Sequence, residues 1–222
     1  MTLLDFPGHV ACTVFLGGCD LRCPFCHNFE LVDGTAKPVM DSEELLAFLK
    51  KRQGLLDGVA ITGGEPCLHA DLPDLMREIR ALGFKVKLDS NGFHPQMLAG
   101  ILEEGLADYV AMDIKNSPSK YALTTGVKDL DIAPVLESIM ILRDSGVSYE
   151  FRTTVVREFH EAQDFEVIGR MIEGAQHYFL QAFTDRDTVP FEGLHAPSAD
   201  EMRKYAEIAG KYVKDTQLRG VD

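Results

Sequence analysis

Val10-Ala11-Cys12-Thr13-Val14-Phe15-Leu16-Gly17-Gly18-Cys19-Asp20-Leu21-Arg22-Cys23-Pro24-Phe25-Cys26-His27-Asn28 carries four of the chain's five cysteines, and Cys19, Cys23 and Cys26 stand at spacing C-x3-C-x2-C. Its first seven residues form an apolar run with the length of a buried strand. The two glycines end that run and permit a tight turn. Three thiols are therefore expected on a compact loop at the carboxyl end of a strand, a metal site one protein ligand short of the four that close structural zinc and ordinary iron–sulfur sites. Two other readings stand beside it. His27 could complete a zinc site with Cys19, Cys23 and Cys26, although it directly follows a ligand. A disulfide framework suits neither the odd cysteine count nor the absence of a secretory signal pattern.

Working outward, the same strand-then-glycine pattern returns. Gly58 to Thr62 reads as a second strand, followed by Gly63-Gly64-Glu65-Pro66, where glycine lets backbone approach a ligand and exposed amides can bind one. Phe84 to Asp89 alternates as a third strand before Ser90-Asn91-Gly92. Tyr109 to Lys115 is a fourth, with Asp113 and Lys115 on one face. Tyr149 to Val156 is a fifth, with Arg152 in its middle, and His177 to Phe183 a sixth. Helices are expected between them: from Asp41, whose pairing with Glu44 is a capping-box pattern, and over Leu72–Leu82, Pro95–Glu104, Ile132–Ser145 and Phe165–Glu173. A last helix runs from the Ser198 cap to about Val213. Phe29 to Val39 reads as irregular, and Asp5 with Pro7-Gly8 as a turn. Strand–helix alternation implies a parallel sheet with right-handed crossovers. Cys19 to Cys26, Gly63 to Pro66, Asp89, Ser90, Asp113 and Lys115 all fall at strand carboxyl ends, where α/β barrels build active sites.

The 222 residues and 45% hydrophobic content suit one sizeable domain, expected over residues 1–222. A net charge of −13 disfavours nucleic-acid binding. No apolar run is long enough to cross a bilayer, and no signal pattern opens the chain, so the expected location is cytoplasmic. Cys12 and Cys67 read as free buried cysteines.

Cys19, Cys23, Phe25 and Cys26 match C-x3-C-x-aromatic-C, and at these residues the chain resembles the radical S-adenosylmethionine (radical SAM) enzymes. Gly63-Gly64-Glu65-Pro66 resembles the motif with which that family meets the methionine amino group. Asp89-Ser90-Asn91-Gly92 and Asp113-Ile114-Lys115 resemble D-T-N-G and L-D-L-K of the pyruvate formate-lyase activating enzymes, serine keeping threonine's hydroxyl. Asp5-Phe6-Pro7-Gly8 resembles the D-[FY]-P-G form found in activating proteins of anaerobic ribonucleoside-triphosphate reductase.

The resemblance implies an α/β partial (β/α)6 TIM-type barrel. It implies a [4Fe-4S] cluster on Cys19, Cys23 and Cys26, with S-adenosylmethionine on the fourth iron, reductive cleavage of that cofactor and hydrogen abstraction by the resulting radical. Phe25 is then the adenine contact, and Gly63, Gly64, Glu65 and Pro66 meet the methionine end. Asp89, Ser90 and Asp113 surround a monovalent cation, Lys115 meets the SAM carboxylate, and Arg152 lies near SAM or the substrate peptide. No protein side chain is nominated as acid or base. The implied function is formation of a glycyl radical on anaerobic ribonucleoside-triphosphate reductase, with a low-potential donor such as flavodoxin or ferredoxin as second partner. The alternatives are activation of another glycyl radical enzyme of the pyruvate formate-lyase type, a small-molecule substrate, or a non-catalytic zinc-binding interaction protein.

Overall fold

A computed structural model describes residues 2–221. Its seven strands are β1 (Ala11–Leu16), β2 (Gly58–Gly63), β3 (Lys85–Ser90), β4 (Tyr109–Asp113), β5 (Ser148–Val155), β6 (Tyr178–Ala182) and β7 (Thr216–Arg219). Each lies parallel to the next in chain order, from β1 at one edge to β7 at the other. The sheet curves as an unclosed α/β barrel. Six strands were expected and a seventh is present. Thr216-Gln217-Leu218-Arg219 has one apolar residue, too few to announce a strand by pattern.

Eight helices accompany the strands: α1 (Phe29–Asp33), α2 (Ser42–Lys50), α3 (Leu72–Ala81), α4 (Pro95–Glu103), α5 (Tyr121–Thr125), α6 (Ala133–Asp144), α7 (Ala162–Met171) and α8 (Ala199–Ala209). The expected capping boxes at Asp41/Glu44 and Ser198/Glu201 start α2 and α8. The stretch read as irregular instead opens with α1, a short turn closed by Gly34 in the left-handed region. Five residues are too few to show a helical period. Helix α7 begins three residues before the expected Phe165, because the Asp164 carboxylate accepts the Glu161 N–H at 2.9 Å and defines an earlier start. Helix α8 stops at Ala209, short of Val213.

Alternation along the strands sorts the side chains. Cys12, Val59, Ile61, Val86, Leu88, Val110, Met112, Phe151, Tyr178 and Leu180 face the helices in one apolar core. The opposite face is strongly polar: Thr13, Lys87, Asp89, Asp113, Glu150, Arg152, Gln181 and Arg219 share its parity. Glu150 is 1% exposed and accepts both Arg219 guanidinium nitrogens at 3.0 Å and the Tyr109 hydroxyl at 2.9 Å. The Arg219 guanidinium lies 3.4 Å from the centre of the Phe179 ring. These groups fill the layer beneath Arg152, so the open space collects at the carboxyl ends of the strands.

Candidate functional site

A cavity of about 380 Å³ opens at that rim. Its wall includes Cys19, Cys23, Cys26, Phe25, Gly63, Gly64, Glu65, Asp89, Ser90, Asp113, Lys115 and Arg152, so all the nominated residues but one converge there. The exception is Pro66, which is buried and starts the 3-10 turn Pro66–Leu68 behind the wall.

The cysteine loop is held from two sides. The Arg22 N–H donates to Thr125 O at 2.9 Å, and the Arg22 guanidinium donates to the Cys19 carbonyl at 2.6 Å. Leu21 and Phe25 are buried against Val156 and Phe183. Burial pushes the Cys19 thiol up to about 12 and the Cys23 thiol up to about 11, and raises Cys26 too. The metal-free cysteines are therefore protonated at neutral pH, and metal binding must release those protons. Among the described residues no three His, Cys, Asp or Glu side chains close on a single-ion site. The fit to an iron–sulfur cluster rests on the donors: three sulfurs facing one cavity, the chemistry such clusters take. His27 also lines the cavity, but its ring is engaged by other partners. Its Nε2 lies 2.6 Å from Thr184 O, and its ring is parallel to Phe183 at 5.6 Å between centres.

The glycine pair does something other than expected. Gly63 has φ +123°, and a Cβ there would lie 2.2 Å from Leu16 O. A Cβ at Gly64 would lie 1.9 Å from Gly18 O. Both glycines are thus required by the ends of β1 and the cysteine loop. The Gly64 N–H donates to Leu16 O at 2.9 Å and the Glu65 N–H to Gly18 O at 2.8 Å, so those two amides are already spent.

Glu65 is fully buried and braces two loops. Oε1 accepts the Cys67 N–H at 2.9 Å and the Ser90 hydroxyl at 3.0 Å, while Oε2 accepts the Asn91 N–H at 2.6 Å. Burial raises its carboxyl to about 7 against the pull of these three donors. The Ser90 hydroxyl is therefore committed to Glu65, and also accepts the Gly92 N–H at 3.0 Å.

Across the cavity two carboxylates meet three cations. Asp113 accepts Arg152 Nε at 3.0 Å and Lys115 Nζ at 2.9 Å. Asp89 accepts Arg152 Nη1 at 3.3 Å and is also paired with Lys87. Burial alone would raise the Asp113 carboxyl, but the Arg152 and Lys115 charges hold it well below the usual range. Burial lowers Lys87, with Asp89 opposing. Lys115 goes the other way: Asp113, then Cys23, raise it above the ordinary value despite burial. The group has one positive charge in excess, and cationic side chains already occupy the space around Asp89 and Asp113.

Asp5, Asn28, Asn91, Thr154 and Gln181 also line the cavity without having been nominated as site residues. Asp5 reaches it because its carboxylate accepts the Thr13 hydroxyl at 2.6 Å, which draws the turn before β1 over the sheet's polar face. Strand parity was the available signal for Thr154, two residues beyond Arg152, and Gln181, its register partner on β6.

The radical SAM superfamily model matches residues 13–170. The chain belongs to that superfamily, whose members are enzymes using a [4Fe-4S] cluster and S-adenosylmethionine. Among curated proteins, MJ1227 of Methanocaldococcus jannaschii, which carries the provisional name glycyl-radical enzyme activating enzyme, is 30% identical over all of this chain and 94% of its own length. A 7-carboxy-7-deazaguanine synthase of Thermococcus kodakarensis is 26% identical over 88% of this chain and 80% of its own. A pyruvate formate-lyase-activating enzyme of Listeria monocytogenes is 31% identical over 65% of this chain and 61% of its own. Among solved structures, SuiB of Streptococcus suis with S-adenosylmethionine bound aligns with 97% of this chain at a TM-score of 0.75 and 14% identity. This chain spans 51% of that longer one, and the likeness is one of fold.

Proposed function

We propose that the chain activates a glycyl radical enzyme, and that its target is anaerobic ribonucleoside-triphosphate reductase. The observation that carries this reading is the meeting of three cysteine sulfurs and the Lys115–Arg152 cationic wall in one cavity, with Asp5 of the Asp5-Phe6-Pro7-Gly8 turn on the same wall. The full-length match to MJ1227 supports the activating-enzyme class. The form of that turn supports the reductase as target.

In this reading Cys19, Cys23 and Cys26 would hold the cluster, one protein ligand short, with S-adenosylmethionine beside it. Bound there, the cluster supplies the electron that cleaves the cofactor reductively and so allows hydrogen abstraction from a backbone glycine. Lys115 and Arg152, in a group that with Lys87 has one positive charge in excess over Asp89 and Asp113, receive the cofactor's carboxylate. With two amides of the glycine motif committed to β1 and Gly18, the motif offers carbonyl oxygens, which suit an ammonium group. Phe25 presents an apolar ring to the adenine. Glu65 and Ser90 act by holding the loops of β2 and β3 together. The electron comes from a low-potential donor protein.

The Listeria relative favours a second reading, in which the target is a pyruvate formate-lyase type enzyme. The test is anaerobic reconstitution with iron and sulfide, reduction in the presence of S-adenosylmethionine, and assay of 5'-deoxyadenosine and of the glycyl radical EPR signal on each candidate protein. A radical on the reductase alone is expected. A radical on the lyase alone selects the second reading, and deoxyadenosine with neither radical points to a small-molecule substrate. A Cys23→Ala protein that still cleaves the cofactor would sink the ligand assignment.

A further inference from the structure

This inference rests on the reading of Cys19 as a cluster ligand. Among the described residues, Cys19 Sγ is the one of the three sulfurs that a side-chain N–H reaches: Asn91 Nδ2 lies 3.9 Å away. The Leu21 backbone N–H approaches the same sulfur at 3.4 Å. The orientation of the Asn91 amide is not free. Its Oδ1 accepts the Phe93 N–H at 2.9 Å, which directs the nitrogen the other way. That nitrogen has two hydrogens. One goes to Asp20 Oδ1 at 2.8 Å, leaving the second for the sulfur.

The asparagine is also anchored from behind. Its backbone N–H is bound by Glu65 Oε2, and Glu65 is itself fixed by Ser90 and Cys67. On the far side of Asp20, His94 Nε2 lies 3.1 Å from Oδ2, close but outside hydrogen-bond geometry. In the thiol form the Cys19 S–H faces Asp20 Oδ1 at 3.8 Å. Once the sulfur loses that proton to become a ligand, it is an acceptor with two N–H groups already aimed at it.

We propose that Asn91 is a positioning residue that raises the cluster's reduction potential through the Cys19 sulfur. A donor on a ligand sulfur stabilises the reduced, more negative state of the cluster, one of the ways a protein sets such a potential. Glu65 belongs to the same device, because it holds Asn91 in place. The buried chain Glu65–Asn91–Cys19 thus links the glycine motif after β2 to the cluster through the end of β3.

The experiment is a mediated reductive titration of the reconstituted holoprotein, without S-adenosylmethionine, followed by cluster absorbance and EPR. Asn91→Leu keeps the size and removes the donor. Asn91→Asp also sets a second carboxylate beside Asp20. Both are expected to shift the midpoint to more negative values, Asn91→Asp further. Ser138→Ala is the structural control. It removes a buried 2.8 Å hydrogen bond to Gly92 O in the same loop, and should lower the melting temperature while leaving the midpoint unchanged. An Asn91→Leu protein with a wild-type midpoint overturns the proposal. If neither Asn91 variant retains a cluster, pulsed EPR of reduced wild type labelled with 15N in the asparagine side chains decides. A 15N coupling supports the bond to sulfur, and none overturns it. Failure of the underlying reading looks different: the wild type takes up no cluster, or Cys19→Ala keeps an unaltered one.

Discussion

Replacing Gly64 by alanine should damage both fold and site, although it adds a single methyl group. The new Cβ would lie 1.9 Å from the Gly18 carbonyl oxygen, 2.7 Å from its carbon and 3.4 Å from the Cys19 Cβ. The first two atoms are backbone, so no side-chain rotation relieves the clash, and the loops after β1 and β2 must part by roughly 1.5 Å to regain ordinary contact. Overpacking of this kind costs about 1–3 kcal/mol. Parting the loops also strains the 2.9 Å bond from Gly64 N to Leu16 O and the 2.8 Å bond from Glu65 N to Gly18 O. Each is worth about 1 kcal/mol. A loss of roughly 2–5 kcal/mol lowers the melting temperature of a chain this size by about 10 °C. Cys19 follows the displaced Gly18, so cluster uptake should fall as well. Gly100 is the control. A Cβ there meets nothing within 4 Å, and its position is inside α4. Gly100→Ala should therefore stabilise by about 0.5–1 kcal/mol. Calorimetry of the metal-free proteins reads both effects, and iron content after reconstitution reads the second. A Gly64→Ala protein melting within about 2 °C of wild type and loading a full cluster would refute the close-approach argument.

Three further outcomes are expected. Asp113→Asn leaves Arg152 and Lys115 facing each other with less compensation and should destabilise by about 3 kcal/mol, measured by urea denaturation; it should also alter S-adenosylmethionine affinity, measured by calorimetry, and an unchanged stability would show that the network is not coupled. Because Lys87, Lys115 and Arg152 already neutralise Asp89 and Asp113, exchanging potassium for a bulky organic cation at constant ionic strength should change that affinity by less than about twofold; a larger loss would establish a cation site. His160 is buried, with Nδ1 3.1 Å from the Val156 N and Nε2 2.9 Å from Lys115 O, and burial, against the pull of these bonds, lowers its pKa below the ordinary value. The unfolded chain then binds the proton first, so stability should fall as pH drops through about 6.5 and stop falling below the depressed native value. Urea melts of wild type and His160→Gln at several pH values between about 5 and 8 test this, and equal slopes would exclude His160 as the cause.

The local signals read most easily where one residue type answers one local demand. The capping boxes at Asp41/Glu44 and Ser198/Glu201 appear where expected because they depend on neighbours within a few residues. Strand β7 and helix α1 were missed for the opposite reason. Gln217 and Arg219 look like loop residues until β6 supplies a polar face for them, and α1 is too short to show a period.

The sequence by itself determined the class of the fold and most of the cavity wall. Strand–helix alternation forces a parallel sheet, and a parallel sheet sends the carboxyl ends of every strand, with Cys19 to Cys26, Gly63, Asp89, Asp113 and Lys115, to one rim. What each group does there was decided by tertiary contacts between segments far apart in the chain. Gly64 serves Gly18, Glu65 serves Asn91, and Arg152 joins Asp89 to Asp113. A glycine's missing Cβ or a carboxylate's charge is written locally, but the atom that needs it is brought near only when the sheet curves. Burial then sets whether that group remains free for a ligand or must be satisfied within the protein.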